Sequence, residues 1–252
     1  MVGYAELAKR NTFTMEDVNR LVGNKKTASS LVQRLSKKDL LRKIRSNLYT
    51  CVNLVDGQLV ASKYHIACAI NDTACISHHS AFEYMGISDQ VYYEMYVSST
   101  RRFSDFEFEG INYKYIPLKI ETGIIAPKNT EGIRVTNLER TVVDSIKDFE
   151  KIGGIEELLN CIGSISYLKE PEIIKCLDGY DVQFLYQKTG YLLGHYINQL
   201  QLSEELISYC KSKIGKSTRY LTKDSTNYNS EWKLVVPKDL FQITEQGGGP
   251  LV

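Results

Sequence analysis

The sequence lacks the features that would assign it quickly to a membrane protein or to a common enzyme class. No apolar run approaches the ~18 residues that a membrane-spanning helix needs, and the first stretch, MVGYAELAKRNTFT, has no long apolar core like that of a signal peptide. No GxxxxGKS, GxxxxGKT, GxGxxG or GxSxG motif is present. We therefore expect a cytoplasmic protein that does not bind membranes, and we expect no enzyme activity.

Metal-binding and disulfide patterns are also missing. The six cysteines contain no CxxC pair, which is typical of reduced, mostly buried thiols. Cys75 precedes His78 by three residues, but His78 and His79 are adjacent and point in different directions, whereas zinc sites use spaced ligands. We expect no metal and no cofactor. The pair favours a strand-to-helix corner that hydrogen-bonds its histidines.

Charge is distributed unevenly in a chain whose net charge is only +1. Residues 1–54 contain eleven Lys or Arg and four Asp or Glu, whereas the rest of the chain contains twenty and twenty-six. A basic head suits a polyanion, and an acidic body would repel one. The sequence therefore predicts two domains, residues 1–55 and 56–252.

Three short helices are predicted in the head. The first covers about Val2 to Lys9. The second follows Thr14, which forms an imperfect capping box with Asp17, and ends at Gly23-Asn24. The third runs from Lys25 to Lys37, with one apolar stripe at helical spacing that consists of Ala28, Leu31, Val32 and Leu35.

A basic hairpin follows the third helix. In LLRKIRSNLYTCV, Ser46-Asn47 forms the turn between two strands. Two helices joined by a turn and followed by such a hairpin predict a winged helix-turn-helix, with the third helix in the DNA major groove. The predicted DNA-binding residues are Lys25, Lys26, Thr27, Ser29, Ser30, Gln33, Arg34, Lys37, Lys38, Arg42, Lys43, Arg45 and Asn47. The alternative is a solvated basic helix face with no partner.

The body shows strand-like segments first and helices later, which predicts an α+β fold. A helix is expected from Leu59 to Asn71 and another from Ser80 to Gly86, with a short strand around Ile76. Further strands are expected in VYYEMYVSS, FEFEG, INYKYIPL, GIRVT and WKLVVP, with a Glu109-Gly110 turn, and helices predominate after about residue 137. The tail QGGGPLV is expected to be loose.

The segment TNLERTVVDSI predicts a helix with a capping box formed by Thr136 and Glu139. Arg140 and Asp144 are four residues apart and are expected to pair on the surface, which contributes a few tenths of a kcal/mol at most. Two interpretations stay open: an ordinary capped helix, or a polar face for a partner.

A weaker pattern raises an alternative enzymatic function. Glu231-Trp232-Lys233, with Asp224 before it, matches the carboxylates and lysine of Mg²⁺-dependent nucleases. The match is three residues long and no Pro-Asp pair precedes it, so a nuclease is the less favoured reading.

Four segments in one order resemble the AbiEi antitoxins of bacterial type IV toxin–antitoxin systems, which act in abortive infection and phage defence. They are RSNLYTCV, ISHHSAFEYMGI, RVTNLERTVVDSI and LYQKTGYLLGHY. The resemblance covers roughly residues 1–210. The family often has TSPERT where this chain has VTNLERT, so the restraint of the proline is missing here.

The resemblance implies a repressor that binds inverted repeats in its own promoter and neutralises a companion nucleotidyltransferase toxin without a stable complex. It also implies a monomer in solution that binds its repeats cooperatively. The recognition helix would be Lys25–Ser36 and the wing Arg42–Tyr49. His78, His79, Glu139, Arg140 and Asp144 match body signatures whose chemical role does not follow from the match. A ligand-sensing transcription factor without a toxin partner is the alternative.

Overall fold

The computed structural model describes residues 2–88, 90 and 92–242, and it is a mixture of helices and mixed β-sheets. Val91, the first residue of the predicted strand VYYEMYVSS, and the tail QGGGPLV lie outside the described residues. The chain forms two compact units. The first comprises Met1–Ile76, Tyr92–Pro117 and Ala126–Val135, and the second comprises Ser77–Val91, Leu118–Ile125 and Thr136–Val252. None of the described helices is both long enough and apolar enough to cross a membrane.

Three helices open the first unit: α1 (Val2–Leu7), α2 (Met15–Val22) and α3 (Lys25–Lys37). The predicted capping box of α2 is present, because the Asp17 N–H donates to the Thr14 hydroxyl at 3.2 Å and the Thr14 N–H donates to the Asp17 carboxylate at 2.8 Å. Gly23 ends α2 with a φ of 73°, which glycine adopts without the steric penalty of a Cβ. Helix α2 therefore begins and ends where its capping residues place it.

A hairpin follows α3 and consists of β1 (Leu41–Arg45) and β2 (Leu48–Cys51), which pair antiparallel. Its turn residue Asn47 has a φ of 58° and accepts a hydrogen bond from the Met15 N–H at 3.0 Å through Oδ1. Phe13 and Tyr49 exchange backbone hydrogen bonds of 3.0 and 2.9 Å. The hairpin is thus attached on one side to the segment that precedes α2.

The remaining elements follow in chain order. They are α4 (Lys63–Cys68), β3 (Cys75–Ile76), α5 (His79–Tyr84), β4 (Glu94–Ser99), β5 (Phe106–Phe108), β6 (Ile111–Pro117), β7 (Ile124–Ile125), β8 (Val135–Thr136), α6 (Leu138–Lys147), a 3-10 helix (Phe149–Ile152), α7 (Ile155–Gly163), α8 (Glu170–Tyr180), α9 (Gln183–His195), α10 (Glu204–Lys213), β9 (Arg219–Tyr220), β10 (Asn227–Asn229) and β11 (Leu234–Val236). Helix α4 is shorter than the predicted helix 59–71 because its first turn is capped by Ser62, and the predicted strand GIRVT is reduced to Val135–Thr136.

In the first unit, strands lie in the order β5-β6-β4-β3-β8. Strands β5 and β6 form an antiparallel hairpin whose turn is the predicted pair Glu109-Gly110, with φ of 49° and 76°. Two consecutive residues with positive φ match the twist of a hairpin, and this favours glycine at the second position. Strands β4 and β6 are parallel, so the sheet is mixed.

Helix α6 lies in the core of the second unit, and every residue from Glu139 to Ile146 is buried. Its N-cap is Asn137, whose side chain accepts from the Arg140 N–H at 2.9 Å, so the predicted cap at Thr136 was wrong by one residue. Thr136 belongs to β8 and its hydroxyl lies 2.7 Å from that of Thr141. Glu139 does not complete a capping box, because its carboxylate accepts from the Lys169 N–H at 3.1 Å.

The same core holds the single tryptophan of the chain. Trp232 is 4% exposed, and its ring packs against α9 at Gly190. A Cβ added at Gly190 would lie 2.1 Å from the Trp232 ring. Gly190 therefore provides the space that the indole occupies.

Candidate nucleic-acid interface

Helix α3 separates its residues into an apolar face and a polar face. Ala28, Leu31, Val32 and Leu35, the predicted apolar stripe, are all buried. They pack with Leu7, Phe13, Val18 and Leu41 in a cluster of the first unit. The predicted DNA-contacting residues of this region are all exposed: Lys25, Lys26, Thr27, Ser29, Ser30, Gln33, Arg34, Lys37 and Lys38. The structure thus leaves the lysines, the arginine and the hydroxyl side chains of α3 exposed on its polar face.

Two of the lysines on α3 stand where a helix disfavours them. Lys25 and Lys26 lie in the first turn, which contains no acidic residue, and the helix dipole makes a cation there unfavourable by ~0.3–1 kcal/mol. The Asn24 side chain accepts from the Lys26 and Thr27 N–H groups at 2.9 and 3.2 Å. The helix dipole therefore gives these two lysines no stabilisation within the fold.

The four predicted DNA-binding residues of the hairpin differ in their exposure and in their contacts within the protein. Lys43 is exposed. The Arg42 guanidinium lies 2.8 Å from Asp39 and 3.9 Å from Glu109. The Arg45 guanidinium lies over aromatic rings, 5.7 Å from the centre of Phe103 and 5.0 Å from that of Phe106. Arg45 and Asn47, which caps α2, therefore have contacts inside the first unit that sequence reasoning missed.

The first unit also contains a polar cavity of about 370 Å³. It is lined by Arg10, Asn11, Thr12, His65, Cys68, Ala69, Glu131 and Gly132. Asn11 donates a hydrogen bond to Glu131, and His65 Nε2 lies 3.2 Å from the Thr130 carbonyl oxygen. Polar groups of its wall are thus hydrogen-bonded within the first unit.

In the second unit, Arg140 and Asp144 do pair, but the prediction that they pair on the surface was wrong. Arg140 Nε lies 2.7 Å from Asp144 Oδ1, and both side chains are 1% exposed. The reason is that α8 and α9 pack against α6 and enclose it. Burial lowers the pKa of Arg140, but the adjacent Asp144 carboxylate outweighs this and the net direction is upward.

The remaining donors of Arg140 bind a neighbouring segment and Tyr180. Its Nη1 donates to the carbonyl oxygens of Ile120 at 3.2 Å and Thr122 at 2.7 Å. Its Nη2 donates to the Tyr180 hydroxyl at 2.9 Å, and that hydroxyl donates to Asp144 at 2.5 Å. Burial and the Asp144 carboxylate raise the pKa of Tyr180. In this arrangement the pair holds segment 118–125 against α6, so the ERTVVD signature contributes to the fold.

The two adjacent histidines form the predicted hydrogen-bonded corner between β3 and α5, which confirms that prediction. His78 Nδ1 lies 2.9 Å from the Ser77 hydroxyl, and His79 Nε2 lies 3.3 Å from that of Ser88. Ser88 in turn donates to Glu157 at 2.9 Å. Over the residues that the structure describes, no group of three or more His, Cys, Asp or Glu side chains could hold a metal ion.

Two lysines and a histidine surround Asp148, a group that the sequence analysis did not single out. Lys147 and Lys151 lie 2.5 and 3.0 Å from its carboxylate, and His78 Nε2 lies 3.6 Å away. Burial raises the pKa of Asp148, but these neighbours outweigh it and hold the pKa well below its usual range. The buried Lys188, within LYQKTGYLLGHY, donates to the Lys147 carbonyl oxygen at 2.7 Å. Burial lowers its pKa to about 8.

The residues of the nuclease alternative have separate partners. Glu231 accepts from Lys211, whereas Lys233 Nζ donates to the Gly215 carbonyl oxygen at 3.2 Å. A Mg²⁺ site needs oxygen ligands directed at one point. Glu231 and Lys233 are thus each bound to a different group of the second unit.

The comparisons with known proteins define the fold class. No family model and no curated protein matches the sequence. Among solved structures, the chain is similar to the RV2827C protein from Mycobacterium tuberculosis, with 14% sequence identity and a TM-score of 0.66. The alignment covers 98% of this chain and 93% of that chain. At this identity, the likeness shows a shared α+β fold.

Proposed function

We propose that the chain is a repressor whose N-terminal part is a winged helix-turn-helix and which also acts as an antitoxin. The observation that carries the proposal is the exposed cationic face of α3, opposite a fully buried apolar face. Helix α2, the turn at Gly23 and α3 supply the helix-turn-helix. Strands β1 and β2, with the Phe13–Tyr49 bridge, supply the wing.

Helix α3 is the recognition helix in this proposal. Ser29, Ser30 and Gln33 have the hydrogen-bonding groups that read base edges in the major groove, and lysines on the same face bind phosphates. Lys43 extends the phosphate contacts from the hairpin. One head of this size contacts few base pairs, so two copies on inverted promoter repeats give the affinity that a repressor needs.

The antitoxin role rests on the sequence resemblance to the AbiEi family. The partner is a nucleotidyltransferase toxin, neutralised without a stable complex. The protein is a cytoplasmic monomer in solution, binds its repeats cooperatively, and has no enzymatic activity or cofactor of its own. Arg140, Asp144 and the two histidines make buried contacts, so in this proposal they stabilise the body that neutralises the toxin.

Electrophoretic shift of the chain's own upstream DNA at increasing salt tests the DNA-binding proposal. We expect steep salt dependence, and we expect Lys26→Glu with Lys37→Glu to abolish the shift because two phosphate contacts become repulsive. A matched control is Lys119→Glu with Lys128→Glu, which makes the same change in net charge at exposed positions outside the head. Equal DNA binding by the two double variants would contradict the proposal that α3 binds DNA.

Co-expression of the full chain with the neighbouring nucleotidyltransferase tests the antitoxin role separately. We expect growth to be restored by the wild type and also by the Lys26→Glu, Lys37→Glu variant, because neutralisation is assigned to the body. Growth arrest in the presence of soluble, folded wild-type chain would contradict the antitoxin role and leave the DNA-binding proposal standing.

The 370 Å³ polar cavity favours a second candidate function, a transcription factor that senses a small polar ligand. A thermal-shift screen with polar metabolites tests it. A stabilising ligand whose effect disappears in Arg10→Ala and Glu131→Ala, together with no toxin gene beside this one, would favour sensing over antitoxin activity.

A further inference from the structure

The small C-terminal sheet of the second unit carries an aromatic row. Its strands lie in the order β10-β11-β9. Val235 of β11 pairs with Tyr228 of β10 on one side and with Tyr220 of β9 on the other. Residues directly opposite each other on neighbouring strands project from the same face of a sheet. The three side chains therefore form one row across the sheet.

This row points away from the core. Leu234 and Val236, which flank Val235 in β11, belong to the buried cluster of the second unit, and successive side chains of a strand alternate between faces. Tyr220 is 63% exposed and Tyr228 is 53% exposed, whereas Val235 between them is 8% exposed. Two exposed aromatic side chains thus lie on either side of a buried valine in this row.

The segment that carries the row is strongly basic within an acidic body. Residues 211–238 contain seven Lys or Arg and two Asp or Glu, whereas the body as a whole has more acids than bases. Five of the seven cations are exposed: Lys213, Lys216, Arg219, Lys223 and Lys238. Arg219 pairs with Leu234 and so projects from the face opposite Tyr220, and Lys213 Nζ lies 5.2 Å from the centre of the Tyr209 ring. The other two are engaged, Lys211 with Glu231 and Lys233 with the Gly215 carbonyl oxygen. This charge complements a polyanion.

The spacing of the tyrosines decides which polyanion fits. Their backbones are two strand spacings apart, or about 9.5 Å, whereas neighbouring bases along a duplex strand are about 3.4 Å apart. Stacking on both tyrosines requires bases that are unstacked and free of a complementary strand. A double helix would use the cations and leave the two aromatic rings without a function, because its bases are already stacked on one another.

We infer that this sheet is a second nucleic-acid surface, specific for single strands, with bases stacked on Tyr220 and Tyr228 and phosphates bound by exposed lysines of residues 211–238. Aromatic platforms bordered by cations are the usual means of binding single-stranded nucleic acid. The surface is separate from the face of α3, which is assigned to duplex DNA. Its ligand is single-stranded RNA or DNA, and the shared chemistry is that of unpaired bases on a phosphate backbone.

Fluorescence anisotropy of short labelled oligouridine and oligothymidine tests the inference in the full chain. The Lys26→Glu, Lys37→Glu substitutions are present throughout to remove the α3 face. We expect Tyr220→Leu with Tyr228→Leu to weaken binding at least about tenfold, because stacking is lost at two bases. Tyr220→Phe with Tyr228→Phe keeps the rings and should stay within about twofold of the parent.

Each outcome decides the inference. Selective binding of either oligonucleotide that needs the rings supports it, and the tighter of the two identifies RNA or DNA as the ligand. No measurable binding by the parent would overturn it. Equal binding by the Leu and Phe variants, or equal competition by heparin and by a duplex, would also overturn it, because the surface would then be only a general cationic patch. Trp232 fluorescence and a thermal melt establish that each variant is folded.

Discussion

Arg140 Nε and Asp144 Oδ1 are 2.7 Å apart with both side chains 1% exposed, so a charged pair lies inside the second unit. The two desolvated charges compensate each other, and removal of one leaves the other uncompensated. Tyr180 and the carbonyl oxygens of Ile120 and Thr122 use the remaining hydrogen-bonding groups of Arg140. The pair therefore makes the fold sensitive to substitution at either residue.

We expect Arg140→Met to reduce the free energy of unfolding by ~3–5 kcal/mol, because Asp144 remains buried without its cation. The measurement is urea unfolding followed by the fluorescence of Trp232. Lys175→Met is the control: Lys175 pairs with Glu172 at 2.7 Å, but it is 61% exposed, so the loss should be below ~1 kcal/mol. Similar losses of unfolding free energy in the two variants would show that the buried pair contributes no more to stability than an exposed pair.

Helix α9 offers a matched pair of glycine substitutions. Gly190→Ala places a Cβ 2.1 Å from the buried Trp232 ring and should destabilise the chain by ~1–3 kcal/mol through overpacking. Gly194→Ala places a Cβ 3.6 Å from Ile207 Cδ1, an ordinary contact, and should stabilise it by ~0.5–1 kcal/mol through helix propensity. Thermal unfolding of both variants measures this, and a neutral Gly190→Ala would contradict the packing described.

Lys188 should make stability depend on alkaline pH. Burial lowers its pKa to about 8 in the folded state, from an ordinary value of 10.5, so between these values the unfolded chain binds more protons. Stability relative to Lys188→Met should therefore rise as the pH increases from about 8 to about 10.5, by ~3 kcal/mol at most. Below pH 8 the difference should be constant. Urea titrations of both proteins across this range measure it, and a flat difference would refute the shift.

The basic residues of the head should separate into two groups in a salt titration of DNA binding. Lys26→Ala and Lys43→Ala should each reduce the slope of log affinity against log salt by about 0.9, the value for one phosphate contact. Arg45→Ala should leave the slope unchanged and lower the melting temperature, because its guanidinium lies over Phe103 and Phe106. A reduced slope for Arg45→Ala would assign that residue to DNA.

Local signals in the sequence were sufficient for much of the fold. The capping box at Thr14, the glycine at position 23 and the apolar stripe of α3 placed that helix at Lys25–Lys37, and Glu109-Gly110 placed a hairpin turn. Each signal acts within a few residues, so no distant contact was needed to interpret it. The helix predicted at 59–71 was too long because its apolar periodicity extends beyond the cap at Ser62.

The parts that could not be predicted depend on distant residues. Arg140 and Asp144 are four residues apart, and this spacing is the same whether a pair is buried or exposed. The pair is buried because Tyr180 and segment 118–125, which are distant in the sequence, pack against it. The tyrosine row depends on the pairing of three strands of two or three residues each, which are too short to show alternation. The sequence does not distinguish Arg45 from the other basic residues of the hairpin, because its contacts with Phe103 and Phe106 join residues that are far apart in the chain.

The way the two units divide the chain has a practical and an evolutionary consequence. The polypeptide alternates between them, passing from one to the other after Ile76, Val91, Pro117, Ile125 and Val135. No single proteolytic cut or truncation can release either unit intact, so their roles must be separated by point substitutions. For the same reason, exchange of one unit for a foreign one by recombination would need breakpoints at all five of these positions.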